Sequence, residues 1–314
     1  MRVFVTGATG YIGRVVTERA LAAGHEVRGL SRNEEGDARL RALGATPVRG
    51  ELSSLDVLRK ESAEADAVLH LAYIHDWTMD YNNVLRADAA AVDALGEPLY
   101  GTGKALVVTS GTAVVDPDPA GGETTEESPI STTFVLKDRI RSEQHALRLS
   151  EKGVRVSALR LPPYVYGRGG SYFVPMLMEA AAKVGEALYV GDGGLRTSDV
   201  HVDDAADLYL LAAEKAKAGE VFNGTGSTSV TLKQLAEAIG DALQLPVRST
   251  SREEIEAKWG EFLTAFVQFE NRASNRKAVE QLGWRPKAVD MLTDIRSGSY
   301  QAIAEKLRAE TAVR

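Results

Sequence analysis

The fold of this chain is decided by its first residues, Val3-Phe4-Val5-Thr6-Gly7-Ala8-Thr9-Gly10-Tyr11-Ile12-Gly13, and by the apolar positions 12, 15, 16 and 20. The apolar start predicts a buried strand, and the later spacing predicts an amphipathic helix. Gly7 permits a tight turn, Gly10 lets the backbone approach a phosphate, and Gly13 lets helix and strand pack closely. Free N–H groups and the positive end of the helix dipole favour phosphates here. The stretch therefore predicts a dinucleotide-binding βαβ unit.

Short apolar runs continue to alternate with amphipathic segments through the first half of the chain. Long helices are expected near 80–100 and 138–152, and the expected strands are 3–5, 26–30, 47–48, 67–71, 105–109 and 154–161. This alternation predicts an α/β fold with a Rossmann-type, doubly wound parallel sheet. Later elements are shorter and mixed, so we expect a smaller C-terminal lobe that returns at least one strand to the sheet. We divide the chain into a Rossmann domain at 1–162 and a partly interleaved substrate-binding lobe at 163–314.

Composition excludes several classes of function. The net charge of −7 over 314 residues argues against a nucleic-acid partner, because phosphate contacts need clustered Lys and Arg. No apolar run reaches the roughly 20 residues of a membrane span, and the start shows no secretory signal. We therefore expect a cytoplasmic protein without a membrane partner. The chain has no cysteine, and its histidines show no metal-ligand spacing, so no metal is expected.

The residues after the second strand favour NADP(H) over NAD(H). An acidic residue at this position holds the ribose 2′-hydroxyl of NAD, whereas an Arg accommodates the 2′-phosphate of NADP. Here the strand ends in Ser31-Arg32-Asn33, which can donate to a phosphate and brings no carboxylate to the tip. Glu34 and Glu35 are interpreted as the start of the next helix. Arg14, just past the glycine loop, is a second candidate for the phosphate.

Motifs in a characteristic order resemble the extended type of the short-chain dehydrogenase/reductase superfamily, the NAD-dependent epimerase/dehydratase-like proteins. After the glycine loop they are Gly50-Glu51-Leu52, His70-Leu71-Ala72, Arg160 to Gly167, Gly191-Asp192-Gly193, His201-Val202-Asp203-Asp204 and Leu282 to Pro286. The resemblance spans nearly the whole chain and implies a Rossmann fold with a bound dinucleotide. Together with the glycine loop and the second strand, it gives the expected cofactor-binding residues: Gly7, Thr9, Gly10, Tyr11, Ile12, Gly13, Ser31, Arg32, Glu51, Leu52, Leu71, Ala72, Tyr73, Thr109, Arg139 and Pro163.

The chain departs from the family in its catalytic residues. The family uses a Tyr four residues before a Lys on one helix, so that both project towards the cofactor. If Glu143 is matched to the family's Glu, then Arg139 takes the place of the Lys and Val135 that of the Tyr. The other register uses Lys137 and puts Thr133 in place of the Tyr. Neither register supplies the pair, so the sequence resembles atypical members that keep the cofactor site alone.

Three segments offer replacements for the missing tyrosine. Ser110 and Thr112 follow the fifth strand, where a donor to the substrate oxygen would lie. Tyr166 follows the sixth strand near the expected nicotinamide. His75 belongs to a polar and aromatic cluster after the fourth strand, which also contains Tyr73, Asp76 and Trp77. Because this is the carboxyl edge of the sheet, where such folds bind ligands, His75 is a candidate acid or base.

These observations leave three functions open. The first is an NADPH-dependent reductase of a small carbonyl, imine or activated alkene, acting by hydride transfer. The second is an epimerase or dehydratase with a tightly held cofactor and no net NADPH oxidation, and the third is a non-catalytic NADP sensor. The aromatic residues at 73–77 and at 164 and 166 indicate a partly apolar small-molecule substrate. The resemblance also makes a homodimer through the helices near 80–100 and 138–152 an expectation.

Overall fold

The computed structural model describes residues 1–75, 78–132, 134, 137–170 and 172–312. Strands occur throughout these residues and are numbered in chain order: β1 (Arg2–Thr6), β2 (Glu26–Ser31), β3 (Thr46–Arg49), β4 (Ala67–His70), β5 (Ala105–Gly111), β6 (Arg155–Leu161), β7 (Tyr164–Tyr166), β8 (Ala187–Val190), β9 (Arg196–His201), β10 (Glu220–Asn223), β11 (Ser227–Thr231) and β12 (Val247–Thr250).

The helices, numbered in the same way, are α1 (Tyr11–Ala22), α2 (Glu34–Leu43), α3 (Leu55–Glu64), α4 (Tyr81–Gly96), α5 (Ile140–Leu147), α6 (Phe173–Val184), α7 (Val202–Lys215), α8 (Leu232–Leu243), α9 (Arg252–Phe266), α10 (Met291–Ser297) and α11 (Gln301–Ala312). None of these described helices combines the length and apolar character that crossing a membrane requires.

The described strands include a seven-stranded parallel sheet in the order β10-β6-β5-β4-β1-β2-β3. Buried side chains of α1 and α7 pack on one face of this sheet, and those of α3, α4 and α5 pack on the other. The three-layer arrangement confirms the predicted Rossmann-type fold. The strand order reverses between β1 and β4, and ligands of open α/β sheets bind at such a switch point.

The C-terminal lobe is smaller and mixed, as predicted. It contains the three-stranded sheet β11-β9-β7 and the pair β12-β8, with α6, α8, α10 and α11 around a second apolar core. The predicted return of a strand to the main sheet is confirmed, because β10 pairs in parallel with β6. Since α7 and β10 both follow residue 162 and yet complete the Rossmann layers, the two lobes interleave.

The predicted helix at 138–152 is shorter than expected. Only Ile140–Leu147 is α-helical, and the segments Lys137–Arg139 and Arg148–Lys152 are 3-10 turns. The Ser150 hydroxyl donates to the carbonyl oxygen of Leu147, and the chain leaves the helix through Gly153 at φ 76°. Tighter turns at a helix end satisfy carbonyl groups that an α-helix leaves free, which accounts for the difference.

Asp199 is an unusual buried acid on β9. Its side chain is 3% exposed, and its Oδ2 atom has no hydrogen-bond partner among the described residues. Burial, followed by the negative charge of Asp290, raises the pKa of Asp199 to about 8 from the ordinary 3.8. The folded protein therefore holds a proton at neutral pH that the unfolded chain releases.

We predict that this proton makes the protein less stable as pH rises from about 4 to about 8, because the unfolded state binds fewer protons in that window. The contribution has an upper limit of roughly 6 kcal/mol, at about 1.4 kcal/mol per pKa unit. Asp199→Asn removes the titrating group, so the difference in unfolding free energy between the two ends of the window will shrink. Urea denaturation at both ends measures it.

Asp56→Asn is the matched control, since Asp56 is fully exposed in the first turn of α3. This control should leave the pH slope of the wild type unchanged. An Asp199→Asn protein with the wild-type slope would show that Asp199 is ionised in the folded state.

Candidate functional site

A cleft of about 950 Å3 opens at the switch point between β1 and β4. Fourteen of the residues expected from the sequence line it, contributed by the ends of five strands and the loops that follow them. They are Gly7, Thr9, Gly10, Tyr11, Ile12, Gly13, Arg32, Glu51, Leu52, Leu71, Ala72, Tyr73, His75 and Thr109. The structure therefore brings most of the predicted cofactor set, and one catalytic candidate, into a single site.

The glycine loop has the geometry that the sequence predicted. Gly7 has φ 72°, and a Cβ atom there would lie 2.8 Å from the backbone nitrogen of Ala72. A Cβ atom on Gly13 would lie 2.0 Å from the carbonyl oxygen of Gly7, which no side chain tolerates. α1 begins after Gly10 with no side-chain cap and no acidic residue in its first turn. Its N-terminus is thus open to an anion, which suits a pyrophosphate.

Arg32 lies exposed on the cleft wall after β2, and it is the one Lys or Arg among the described residues that line the cleft. Of the three acids in the first turn of α2, two are engaged with other arginines: Glu35 accepts a hydrogen bond from Arg39 at 2.6 Å, and Asp37 accepts one from Arg49 at 2.6 Å. Glu34 begins α2, as predicted. Ser31 is buried, and its hydroxyl donates to the carbonyl oxygen of Asn33, so it does not line the cleft.

The opposite end of the cleft carries Tyr73 and His75. Their rings are in edge contact with centroids 5.5 Å apart, and the Tyr73 hydroxyl donates to the Tyr81 hydroxyl at 3.1 Å. Partial removal from water, followed by the positive charge of Arg139, lowers the pKa of His75 below its ordinary 6.5. His75 is therefore neutral at pH 7. The other two members of the predicted cluster, Asp76 and Trp77, lie outside the described residues.

Arg139 is held by three contacts beside the cleft. Its Nη2 donates to the carbonyl oxygen of Thr109 at 2.7 Å, its Nη1 lies 3.6 Å from the Asp88 carboxylate, and its guanidinium carbon lies 3.7 Å from the centroid of the Tyr73 ring. Arg139 was predicted to bind the cofactor, and the structure places it behind Tyr73, outside the lining. The two residues predicted in place of the tyrosine, Thr133 and Val135, lie outside the described residues.

Asp88 connects this arginine to the core of the sheet. Its Oδ1 atom lies 3.5 Å from Nε2 of His70, whose Nδ1 is 2.8 Å from the Thr6 hydroxyl. Burial alone would raise the pKa of Asp88, but the hydrogen bond with His70 and the charge of Arg139 lower it overall. Asp88 is thus a buried carboxylate at neutral pH. We call Thr6, His70, Asp88 and Arg139 the polar chain.

The remaining predicted residues lie away from the cleft. The Thr112 hydroxyl donates to Oδ1 of Asn271 at 2.8 Å, and the Tyr166 hydroxyl donates to the carbonyl oxygen of Val289 at 2.6 Å. Ser110 is buried, and its hydroxyl has no partner among the described residues. Pro163 also lies outside the lining. With their hydroxyls committed or enclosed, the three hydroxyl candidates are not placed to reach a ligand in the cleft.

Three tyrosines are among the residues at the site that sequence reasoning missed. Tyr81 follows Asp80, whose carboxylate accepts from the backbone N–H of Asn82 and caps α4. An Asp before an amphipathic run is a helix-start signal, so Tyr81 could have been placed at the cleft end of α4. Tyr209, whose hydroxyl lies 2.6 Å from that of Thr109, and Tyr172 come from the C-terminal half of the chain, and no local pattern marks them.

The fold and the cleft define a Rossmann-type protein of the dinucleotide-binding class. Residues 3–223 match the model of the NAD dependent epimerase/dehydratase family. The chain belongs to that family, within the extended short-chain dehydrogenase/reductase superfamily, and NAD or NADP is the cofactor typical of the family.

The relatives include proteins with and without a known activity. An uncharacterised protein of Schizosaccharomyces pombe is 40% identical over 96% of this chain and 100% of its own length. A Stigmatella aurantiaca protein named 4-hydroxy-2-methyl-3-oxo-4-farnesyl-3,4-dihydroquinoline-1-oxide ketoreductase is 30% identical over 74% of this chain and 70% of its own. The UDP-glucose 4-epimerase of Thermotoga maritima superimposes with a TM-score of 0.75 at 20% identity, covering 98% of this chain and 100% of that one. The last likeness concerns the fold alone.

Gly13→Ala tests the close packing beneath the glycine loop. Because the added methyl group meets the Gly7 carbonyl oxygen at 2.0 Å, β1 and α1 must separate. We expect a loss of about 3 kcal/mol or more in unfolding free energy, as overpacking of this severity exceeds the usual range. The expected result for NADPH is a loss of measurable binding in a fluorescence titration.

Gly111→Ala is the control, because its Cβ atom would meet nothing closer than the Leu161 carbonyl oxygen at 3.7 Å, and its φ of −137° suits any residue. A Gly13→Ala protein as stable as this control would show that α1 does not need the close approach.

Proposed function

We propose that this protein is an NADP(H)-dependent reductase of a ketone carried on a partly apolar small molecule. The observation that carries the proposal is the layout of one cleft: a helix N-terminus suited to a pyrophosphate, a lone arginine at the end of β2, and a phenol with an imidazole at the far end. A dinucleotide stretched along the cleft would have its adenosine near Arg32 and its nicotinamide near Tyr73.

The environment of Arg32 supports NADP(H) over NAD(H). An exposed guanidinium on the cleft wall offers bidentate hydrogen bonds to a 2′-phosphate. The nearby Glu35 and Asp37 are bound to other arginines, which keeps these two carboxylates from pairing with Arg32. Arg14 is directed along α1 towards Glu18 at 3.9 Å and is the weaker candidate.

Two observations support a ketone on an apolar body. Leu71 and Ile74, which lie close to Tyr73 in the chain, line the cleft with it and give that end apolar side chains. The Stigmatella relative is, by its name, a ketoreductase of a farnesyl-bearing quinoline oxide. A sugar nucleotide would instead need cations for a second pyrophosphate, and at this end of the cleft the one described cation, Arg139, stands behind Tyr73.

Different residues of the chain have different roles along the cleft. NADPH supplies a hydride when it is bound. The glycine loop and Arg32 would hold the phosphates, and Leu71 and Ala72, which also line the cleft, would bind the nicotinamide half. The carbonyl oxygen must then receive a proton from a group at the same end, where the described side chains offer Tyr73 and His75.

The test is NADPH oxidation, followed by absorbance, with ethyl acetoacetate and derivatives bearing longer alkyl groups. Stoichiometric conversion to the alcohol, improving with the apolar bulk of the ketone, is the expected result. Epimerisation or dehydration without net NADPH oxidation would favour the lyase alternative. Tight NADPH binding without turnover of any ketone would favour the sensor alternative.

Arg32→Ala tests the cofactor preference. Charge-assisted hydrogen bonds contribute about 1.5–3 kcal/mol, so we expect NADPH to bind roughly tenfold to a hundredfold more weakly. NADH affinity should change little, since NADH lacks the 2′-phosphate. Calorimetric titration of both cofactors measures the difference.

Arg41→Ala provides the control, because it removes an exposed arginine from neighbouring α2 and leaves Asp37 bound to Arg49. This variant should keep the wild-type affinity for both cofactors. Equal binding of NADH and NADPH by the wild type, with no effect of Arg32→Ala, would contradict the 2′-phosphate assignment.

A further inference from the structure

We propose that Tyr73 donates the proton to the carbonyl oxygen, with Arg139 and Tyr81 as its positioning residues. This inference rests on the proposed reductase function and names the acid that the chain uses. The family's tyrosine belongs to the helix before β6, whereas Tyr73 lies on the loop after β4.

Among the described residues, Tyr73 is a tyrosine that both lines the cleft and contacts a charged side chain, that of Arg139. Its side chain lines the cleft together with Ala72 and Thr109, at the carboxyl ends of β4 and β5. The ring is half-buried, because one face lies against the Arg139 guanidinium at 3.7 Å. Tyr73 thus lines the cleft while its ring is fixed by the guanidinium and its hydroxyl by that of Tyr81.

Arg139 keeps its charge next to this ring under all conditions of interest, because a guanidinium does not deprotonate in proteins. Its position is set from two sides, by the Thr109 carbonyl oxygen and by the buried Asp88 carboxylate. Through the polar chain, Asp88 is fixed in turn by His70 and Thr6 on the central strands. As a proton leaves the Tyr73 hydroxyl, the guanidinium charge stabilises the negative charge that develops.

Tyr81 supplies the second stabilising contact. Its hydroxyl lies 3.1 Å from that of Tyr73, and hydroxyl groups can exchange donor and acceptor roles by rotation. Burial, followed by the hydrogen bond with Tyr73, raises the pKa of Tyr81 above its ordinary value. Tyr81 therefore stays protonated and can donate to the Tyr73 oxygen when Tyr73 has lost its proton.

The other candidates are less suited to be the acid. His75 is neutral at pH 7, because its pKa is lowered, and its ring then has no readily released proton. The Tyr209 hydroxyl is engaged with Thr109, and the Thr109 hydroxyl donates to the His70 carbonyl oxygen at 3.0 Å. Tyr166 is bound to the Val289 carbonyl oxygen away from the cleft.

The step balances without a further reagent. The carbonyl carbon gains a hydride from NADPH, the C=O double bond becomes a single bond, and the oxygen takes the proton of the Tyr73 hydroxyl. The products are the alcohol and NADP+, and the Tyr73 phenolate regains a proton from water in the cleft. One ketone, one NADPH and one proton are consumed.

Tyr73→Phe is the central test, since it removes the hydroxyl and leaves the ring against Arg139. With NADPH and ethyl acetoacetate, kcat should fall by about 100-fold or more, the usual contribution of a positioned general acid. NADPH affinity and thermal stability should stay at the wild-type level. Calorimetric titration of the ketone into the NADP+ complex, where no turnover occurs, should show weaker binding because the carbonyl oxygen has lost its donor.

Tyr100→Phe is the matched control, because Tyr100 is an exposed tyrosine whose hydroxyl accepts from Lys152. Tyr81→Phe should lower kcat by a smaller factor, with little change in KM. Arg139→Met should lower kcat strongly, and Arg139→Lys, which keeps a positive charge, should restore part of it. A merely structural role for Arg139 would not show this rescue.

The outcomes separate the two proposals. A wild type that reduces the ketone, and a Tyr73→Phe protein that does so with undiminished kcat, would overturn the assignment of Tyr73 and leave the reductase function standing. Loss of kcat in Tyr166→Phe instead would overturn it in the same way. A wild type whose NADPH complex neither binds nor reduces any ketone of the series would overturn both.

Discussion

The close approach of Gly13 to the Gly7 carbonyl oxygen is the constraint on which the cleft depends. With no Cβ atom at position 13, α1 begins directly beneath the end of β1, so its free N–H groups face the switch point of the sheet. The order of the strands then brings the ends of β2, β4 and β5 around the same opening. Arg32, Tyr73 and Thr109 occupy these three ends. A contact between two glycines thus determines where every other functional side chain can act.

The positive charge beside the cleft is held in place by buried residues. A buried carboxylate is costly unless it is paired, and Asp88 is paired on both sides, with His70 and with Arg139. Each partner has a further fixed contact, His70 with Thr6 and Arg139 with Thr109. The polar chain therefore places His70 and Arg139 3.5 and 3.6 Å from the Asp88 carboxylate, and it holds one cation at the edge of the cleft.

The parts of the site that the sequence predicted each depend on residues that are close together in the chain. Gly7, Gly10 and Gly13 each have a role that depends on a few neighbouring residues, and Arg32 is placed by the strand that precedes it. The contact between Arg139 and Tyr73 joins two distant segments, and no spacing rule within either segment reveals it. Thr112 and Tyr166 failed to reach the cleft for the same reason, since their partners Asn271 and Val289 come from the far end of the chain.

The position of Arg139 follows from a second buried ion pair. Arg160 on β6 binds Glu143 through two hydrogen bonds, at 2.9 and 2.6 Å, and both side chains are under 5% exposed. This bidentate pair fixes the rotation of α5 against the sheet. Arg139 lies four residues earlier and so projects from the same face, towards the end of β5. The rotation that satisfies Glu143 is therefore the one that holds the guanidinium over Tyr73, and the orientation of the site is determined by a contact that no ligand touches.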